Sequence, residues 1–324
     1  MKRTCLIYNA KAGAAGNLEV LLRRFAVVPT CEFRATANGH DVQTQVQSAI
    51  EQGAERIIVA GGDGTVSQAA NAMAEDFARA DLAVLPLGTG NDLARSVGIP
   101  LDNLESALSL AFSGDSVPMD VVRVFDGKTA YLVNAASAGF GGQVAADITE
   151  TDKARWGAFA YWMTAATELV KLPQFDIQME LDDRSYDSRI YGLTIANGRY
   201  LGGGFPIARG AFVNDGLLDV TVIPVLPTLD LLAAGLNYAV GVSSGGDRIE
   251  NFRSRRVRVS SKPEMLFSID GEPIREVEAT FEVLPLALRI VAGTQAPAVS
   301  NVSPAAAIGL PQGQASGSSI DAPR

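Results

Sequence analysis

The first third of the chain alternates compact apolar runs with amphipathic stretches. Residues 4–9 (TCLIYN), 31–36 (CEFRAT), 56–60 (RIIVA) and 82–86 (LAVLP) have the length and branching of strands. Residues 17–25, 41–53, about 66–77, 92–97 and 102–112 repeat their apolar positions at helical spacing, with Gly53 as a stop signal. Strands separated by helices of this length predict βαβ units and a parallel sheet covered on both faces. From about Pro118 the pattern becomes strand after strand: VPMDVVRVF, TAYLVNAAS, FDIQMELDD, RIYGLTIANG, LDVTVIP, RRVRVSS, EMLFSID, ATFEVLP and LRIVAG. Turn signals such as Asp126-Gly127 and Asp182-Asp183 join them, and helical stretches near 155–171 and 228–240 interrupt them. The expectation is an α/β, three-layer Rossmann-like domain over 1–120 and a β-rich, antiparallel, sandwich-like domain over 121–294. The Ala/Pro/Gly/Ser-rich residues 295–324 form a disordered tail.

A chain of 324 residues is long enough for two such units, because single cores stop growing at roughly 250–300 residues. With 47% apolar and 19% charged residues the protein is ordinarily foldable. Thirty-six acids against 27 bases give a formal charge of -9, which excludes non-specific nucleic-acid binding and disfavours simple adhesion to anionic lipid. Cys5 and Cys31 stand alone, without a CxxC or Cys/His cluster, so a reducing cytoplasm is expected rather than a disulfide framework or zinc site. MKRTCLIYNA reads as a first strand and not as a signal peptide, and the longest apolar stretches are interrupted by polar residues or proline.

Two glycine-rich turns carry the chemistry. Gly61-Gly62-Asp63-Gly64-Thr65 and Pro86-Leu87-Gly88-Thr89-Gly90-Asn91-Asp92 each follow an apolar run and open a helical pattern. Glycine admits positive φ and lets phosphate oxygens approach backbone N–H groups. A carboxylate in such a turn repels phosphate unless it holds Mg²⁺ that bridges to it. Thr65 is placed either to cap the following helix or to donate its hydroxyl, and Asp92 falls in a first helical turn where the dipole favours it. Two turns of this kind at the carboxyl ends of parallel strands share one crevice.

Taken together, GGDGTVSQAANA at 61–72 and PLGTGNDLAR at 86–95 resemble the nucleotide motifs of the diacylglycerol kinase catalytic family, which includes bacterial soluble lipid kinases and the sphingosine and ceramide kinases. Asn9-Ala10-Lys11-Ala12-Gly13 is similar to the family's first-strand loop, with Ala10 and Ala12 replacing its usual Pro and Ser. NAASAGFGGQV at 134–144, NGRYLGGGFPIARGAFVNDGLLDV at 197–220 and Ile269-Asp270-Gly271-Glu272 extend the resemblance over residues 4–293. It implies a NAD kinase/diacylglycerol kinase-like fold and transfer of phosphate from ATP to a lipid in an interdomain cleft. The implied nucleotide contacts are Asn9 to Gly13, Thr36, Gly61, Gly62, Asp63, Gly64, Thr65, Val66, Ser67, Gly88, Thr89, Asn91 and Asp92. Asp63 and Asp92 would anchor the catalytic Mg²⁺. Asp215, with the backbone carbonyls of Phe212 and Leu217, would hold a second, structural Mg²⁺. The base falls in the Asp-Gly-Glu turn, Glu272 first and Asp270 second; a primary alcohol needs such a carboxylate to take its proton.

The lipid side is less determined. Trp156, Phe159, Trp162 and Met163 sit at helical spacing, as a core helix or as the lining of an acyl-chain cleft, and Arg253, Arg255, Arg256 and Arg258 partly alternate on a strand. His40 opens a helix as a surface or capping residue. The expected partner is a lipid substrate, met by transient peripheral docking at the inner face of the membrane, and a homodimer is left open. A kinase of a soluble substrate, such as NAD kinase, and a non-catalytic lipid-binding regulator are the alternatives.

Overall fold

The computed structural model describes residues 2–9, 30–36, 39–125, 129–139, 173–227, 230, 248–274, 278–294 and 296. The predicted helices at 17–25, 155–171 and 228–240 and the turn at Asp126-Gly127 lie outside them, apart from Asp230 alone. So do Ala10 to Gly13 and the tail from residue 297.

In the first half, β1 (Thr4–Asn9), β2 (Cys31–Thr36), β3 (Arg56–Gly61) and β4 (Asp81–Pro86) pair in parallel in the spatial order β4-β3-β1-β2. Every residue of β3 and β4 is buried, as expected for strands covered on both faces. Helices α1 (Gly39–Glu51), α2 (Asp63–Ala72), α3 (Asp92–Ser96) and α4 (Leu104–Ser113) supply the cover. Gly53, at φ +85°, turns the chain after α1 as its position predicted. The order reverses direction between β1 and β3, the switch point outside whose carboxyl ends open α/β sheets bind ligands. Register sets Asn9 opposite Thr36 and Gly61 opposite Pro86, so the ends of all four strands meet at one edge.

The second half is antiparallel. Its strands are β5 (Ser116–Phe125), β6 (Thr129–Leu132), β7 (Ala135–Gly139), β8 (Phe175–Leu181), β9 (Arg184–Ala196), β10 (Leu218–Pro224), β11 (Glu250–Ser254), β12 (Arg256–Lys262), β13 (Phe267–Ile269), β14 (Glu272–Ile274) and β15 (Glu278–Val291). In β8, Phe175, Ile177, Met179 and Leu181 are buried and the residues between them exposed, the period-two signature of a sheet with one solvated face. β15 joins the halves: it pairs along β5 and, through Ile290 opposite Leu82, continues parallel to β4. Asn71 of α2 adds a side-chain clasp on β6, accepting from Tyr131 N–H at 2.9 Å and donating to its carbonyl at 2.7 Å.

Two expectations are corrected and one strand, β11, was not foreseen. TAYLVNAAS is two strands rather than one, because the N–H groups of Val133 and Asn134 turn to the carboxylate of Asp270. ATFEVLP and LRIVAG form one long strand with an irregularity between Leu284 and Leu288. There the N–H of Leu286 (φ +54°) goes to the fully buried carboxylate of Asp120 at 2.7 Å. β11 carries no strong apolar alternation, and its strand state comes from pairing with β10.

Candidate active site

The two glycine turns lie directly on each other. A Cβ added to Gly88 would stand 2.4 Å from the Cα of Gly62, and one on Gly62 would stand 3.0 Å from the Cα of Gly88. Gly88 leaves no room for a side chain, and Gly62 leaves room only if the backbone of the other turn gives way. Asn91 adopts the left-handed conformation (φ 52°) and closes the second turn with its amide, accepting from Gly88 N–H at 3.0 Å and donating to the Gly88 carbonyl at 2.6 Å.

Asp63 crosses between the turns. Its Oδ1 accepts from the N–H of Asp92 at 2.8 Å and of Leu93 at 3.4 Å, so the carboxylate of the first turn caps the helix that follows the second. Gly62 is the N-cap of α2, with no side-chain bond; Thr65 lies inside that helix against Gly61, so its predicted capping role is not taken. Asp92 in turn reaches the glycine triplet of the second half, where Oδ2 accepts from Gly203 N–H at 3.0 Å and Oδ1 from Gly204 N–H at 2.6 Å. Gly202, Gly203 and Gly204 have φ of 68°, 87° and 104°, a run that only glycine sustains without strain. Between the carboxylates sits Gly90, whose added Cβ would be 2.6 Å from Asp63 Oδ2 and 3.6 Å from Asp92 Oδ2. The absent side chain at Gly90 is what lets the two acids face each other.

Burial pushes the Asp92 carboxyl up to about 6 and the charge of Asp63 adds to this, against the pull of the Gly203 and Gly204 N–H groups and of Arg95. Burial likewise raises Asp63, opposed by N–H bonds. Asp270, left-handed at φ 46°, accepts from Val133 N–H at 2.9 Å on one oxygen and from Asn134 and Ala135 N–H at 3.0 Å on the other. Burial raises it to about 6 against those three bonds, with Asp63 contributing to the rise. Asp63 is thus in electrostatic reach of both Asp92 and Asp270. Two like charges held this close, with one oxygen of Asp63 turned toward Asp92, suit a divalent cation that completes its shell with substrate oxygens. Among the described residues no three His, Cys, Asp or Glu side chains form a metal cage by themselves.

The other predicted residues distribute as follows. Thr36 is buried at the end of β2 and donates to the Tyr8 carbonyl at 3.2 Å. Thr89 is exposed at the tip of the second turn. Gly64 lies within α2, as do Val66, which is in the core with its N–H bonded to the Gly62 carbonyl at 3.1 Å, and the buried Ser67. The backbones of Asn9 and Glu272 fall at the end of β1 and the start of β14; their side chains, and that of His40, lie outside the described residues. Asp215 accepts from Leu217 N–H at 3.1 Å and is ion-paired with Arg253, whose Nε lies 3.5 Å from Asp219. Phe212, in the same loop, lies under the guanidinium of Arg199 at 4.9 Å. Arg258 is ion-paired with Glu278, so two of the four arginines on that run meet acids of this chain.

Sequence reasoning passed over Asp120, Asp219 and Arg95. Asp120 accepts from Gly216 N–H at 2.7 Å as well as from Leu286, and burial raises both Asp120 and Asp219 to about 6. An aspartate inside the apolar run VPMDVVRVF was the available signal for the first of these.

The diacylglycerol kinase catalytic domain model matches residues 3–124, and the model of the YegS C-terminal NAD kinase beta sandwich-like domain matches residues 134–292. A Shewanella frigidimarina protein named "Probable lipid kinase YegS-like" is 31% identical over 265 residues, covering 81% of this chain and 84% of that one. A Pseudomonas aeruginosa protein of the same name is 34% identical over 287 residues, covering 85% and 90%. A solved Bacillus anthracis structure described as a diacylglycerol kinase superposes with a TM-score of 0.74 at 24% identity, over 90% of this chain and 98% of that one, and so shares the fold. With both domain models matched in order and relatives of this closeness, the chain belongs to the diacylglycerol kinase catalytic-domain family, in its YegS-like lipid kinase branch.

Proposed function

We propose that the chain is a Mg²⁺-dependent kinase that transfers the γ-phosphate of ATP to a hydroxyl of a membrane lipid such as diacylglycerol, in the cleft between the parallel and antiparallel halves. The observation that carries this reading is the facing pair Asp63 and Asp92, set at the carboxyl edge of the parallel strands with Gly90 left bare between them. Asn9 to Gly13, Thr36, the 61–67 turn, Thr89 and Asn91 hold the nucleotide. Asp63 and Asp92 would hold Mg²⁺, which would supply positive charge against the phosphates. Asp215, with the backbone carbonyls of Phe212 and Leu217, would hold a second, structural Mg²⁺ once its carboxylate is released from Arg253.

In the chemical step the lipid hydroxyl oxygen bonds to the γ-phosphorus as the bond to the bridging oxygen of ADP breaks, and the hydroxyl proton goes to a carboxylate. Both oxygens of Asp270 already accept backbone N–H groups, which fits it to hold the turn. Glu272, two residues on, is then the proton acceptor. Among the described residues no helix is long and apolar enough to cross a membrane, which accords with docking from the cytoplasm onto the inner face.

The test is a panel. Labelled ATP and Mg²⁺ are incubated with the protein and vesicles of diacylglycerol, phosphatidylglycerol, ceramide or sphingoid base, and separately with NAD, a soluble acceptor that the NAD kinase-like second domain warrants including. Label in one of the lipids supports the reading; label in NADP alone overturns it.

A further inference from the structure

Arg95 is a charged side chain with no role in the chemistry so far. It stands on α3, one helical turn beyond Asp92, and its guanidinium lies against Gly204, the last of the glycine triplet: a Cβ there would meet Nε at 3.0 Å and Cζ at 3.1 Å. The Tyr200 ring lies 5.8 Å away. The Nε is buried and donates to no acceptor. A buried guanidinium N–H left without a partner is costly and calls for an explanation, and a fork of donors fits phosphate oxygens.

The surroundings point to the same ligand chemistry. Successive left-handed glycines turn their N–H groups to one side and make an anion-binding concavity. Here the N–H groups of Gly203 and Gly204 hold an anion of the chain itself, the Asp92 carboxylate. The concavity faces the nucleotide turn, since a Cβ on Gly203 would stand 3.9 Å from the Cα of Gly90.

Building on the kinase reading, we propose that Arg95 and the N–H groups of Gly203 and Gly204 form the cradle of the phosphoryl group in transfer, a place that the Asp92 carboxylate keeps until the nucleotide arrives. The phosphorus–oxygen bond to ADP breaks and that to the lipid oxygen forms. The alcohol proton leaves to Glu272, and the non-bridging oxygens keep their charge against these three donors. Such donors act most where charge is redistributed in the transition state.

The experiment titrates wild type, Arg95→Met and Arg95→Lys with Mg·ADP and with Mg·ADP plus beryllium fluoride, a mimic of the γ-phosphoryl group, and records turnover and melting temperature for each. Arg95→Met is expected to keep its affinity for ADP, to lose the tightening that the fluoride gives wild type, and to lose about 100-fold in turnover on diacylglycerol. Arg95→Lys retains the charge without the fork and falls between; it carries the test if the methionine variant does not fold. An equal loss of ADP affinity, or fluoride tightening that survives in both variants, overturns the proposal. A defect confined to the KM for phosphatidylglycerol also overturns it and places the lipid's own phosphate diester there. Failure of the kinase reading is separately visible, because wild type would then bind neither ADP nor its fluoride complex.

Discussion

The carboxylate of Asp92 accepts the N–H of Gly204 at 2.6 Å, across 112 residues of sequence. The same aspartate offers its own N–H to Asp63. One residue thereby ties the two glycine turns to the glycine triplet of the antiparallel half, and its charge is held in a buried place that favours neutralisation.

Asp92→Asn removes that charge but keeps an oxygen for Gly203 or Gly204. Turnover is expected to fall by about 100-fold or more, while the melting temperature changes little, because the lost repulsion with Asp63 offsets the amide NH₂ now set against one of the two glycine N–H groups. Steady-state kinetics and thermal melts on the same preparation check both halves of this expectation.

Gly88→Ala drives a methyl group into the backbone of Gly62, with no flexible side chain to give way. A loss of about 1–3 kcal/mol is expected, as for other overpacked sites, together with weakened nucleotide binding. Gly216→Ala is a control of different kind: its added Cβ meets nothing within 4 Å, so only the left-handed φ of 74° resists it. Chemical denaturation should show the larger stability loss for Gly88→Ala, and a nucleotide titration should show weakened affinity in that variant alone.

Stability should fall as pH rises from about 4 to about 6 in the presence of a chelator. Asp92, Asp120, Asp219 and Asp270 are each raised to about 6 by burial, so over this interval the folded chain binds protons that the unfolded chain has released. Their stabilisation is complete below the unfolded value near 4 and is lost as the folded carboxyls ionise. Thermal midpoints several degrees higher at pH 5 than at pH 7 are expected, with Mg²⁺ narrowing the gap from the pH 7 side.

Asp270 and Glu272 should separate cleanly. Asp270→Asn replaces one acceptor oxygen by an amide NH₂ that then faces at least one of the three backbone donors, with an expected cost of about 1–3 kcal/mol in stability. Glu272→Gln should leave the melting temperature in place and lower turnover by about 10²–10⁴-fold. The reverse pattern would exchange the roles of the two acids.

Much of this fold was legible because its signals are local. The short apolar runs at 57–60 and 82–86 read as strands covered on both faces, and the alternation in FDIQMEL as a strand with one wet face. The two glycine turns were equally legible as turns, since their glycines are required by close backbone approach. What escaped was set by distant partners. The break between β6 and β7 depends on Asp270, and the irregularity in β15 depends on Asp120, 166 positions away. Arg95 looked like the last letter of a motif, and only the fold shows its guanidinium lying on Gly204.

The most direct measurement of the central claim is transfer of label from γ-labelled ATP to diacylglycerol in vesicles, by wild type and Asp63→Asn, with Mg²⁺ and with chelator. Labelled phosphatidic acid is expected from wild type with Mg²⁺ alone, and at least about 100-fold less from the variant, which should still bind nucleotide. Transfer that survives chelation, or an Asp63→Asn protein with undiminished turnover, would contradict the assignment of Asp63 and Asp92 to the metal and the phosphates.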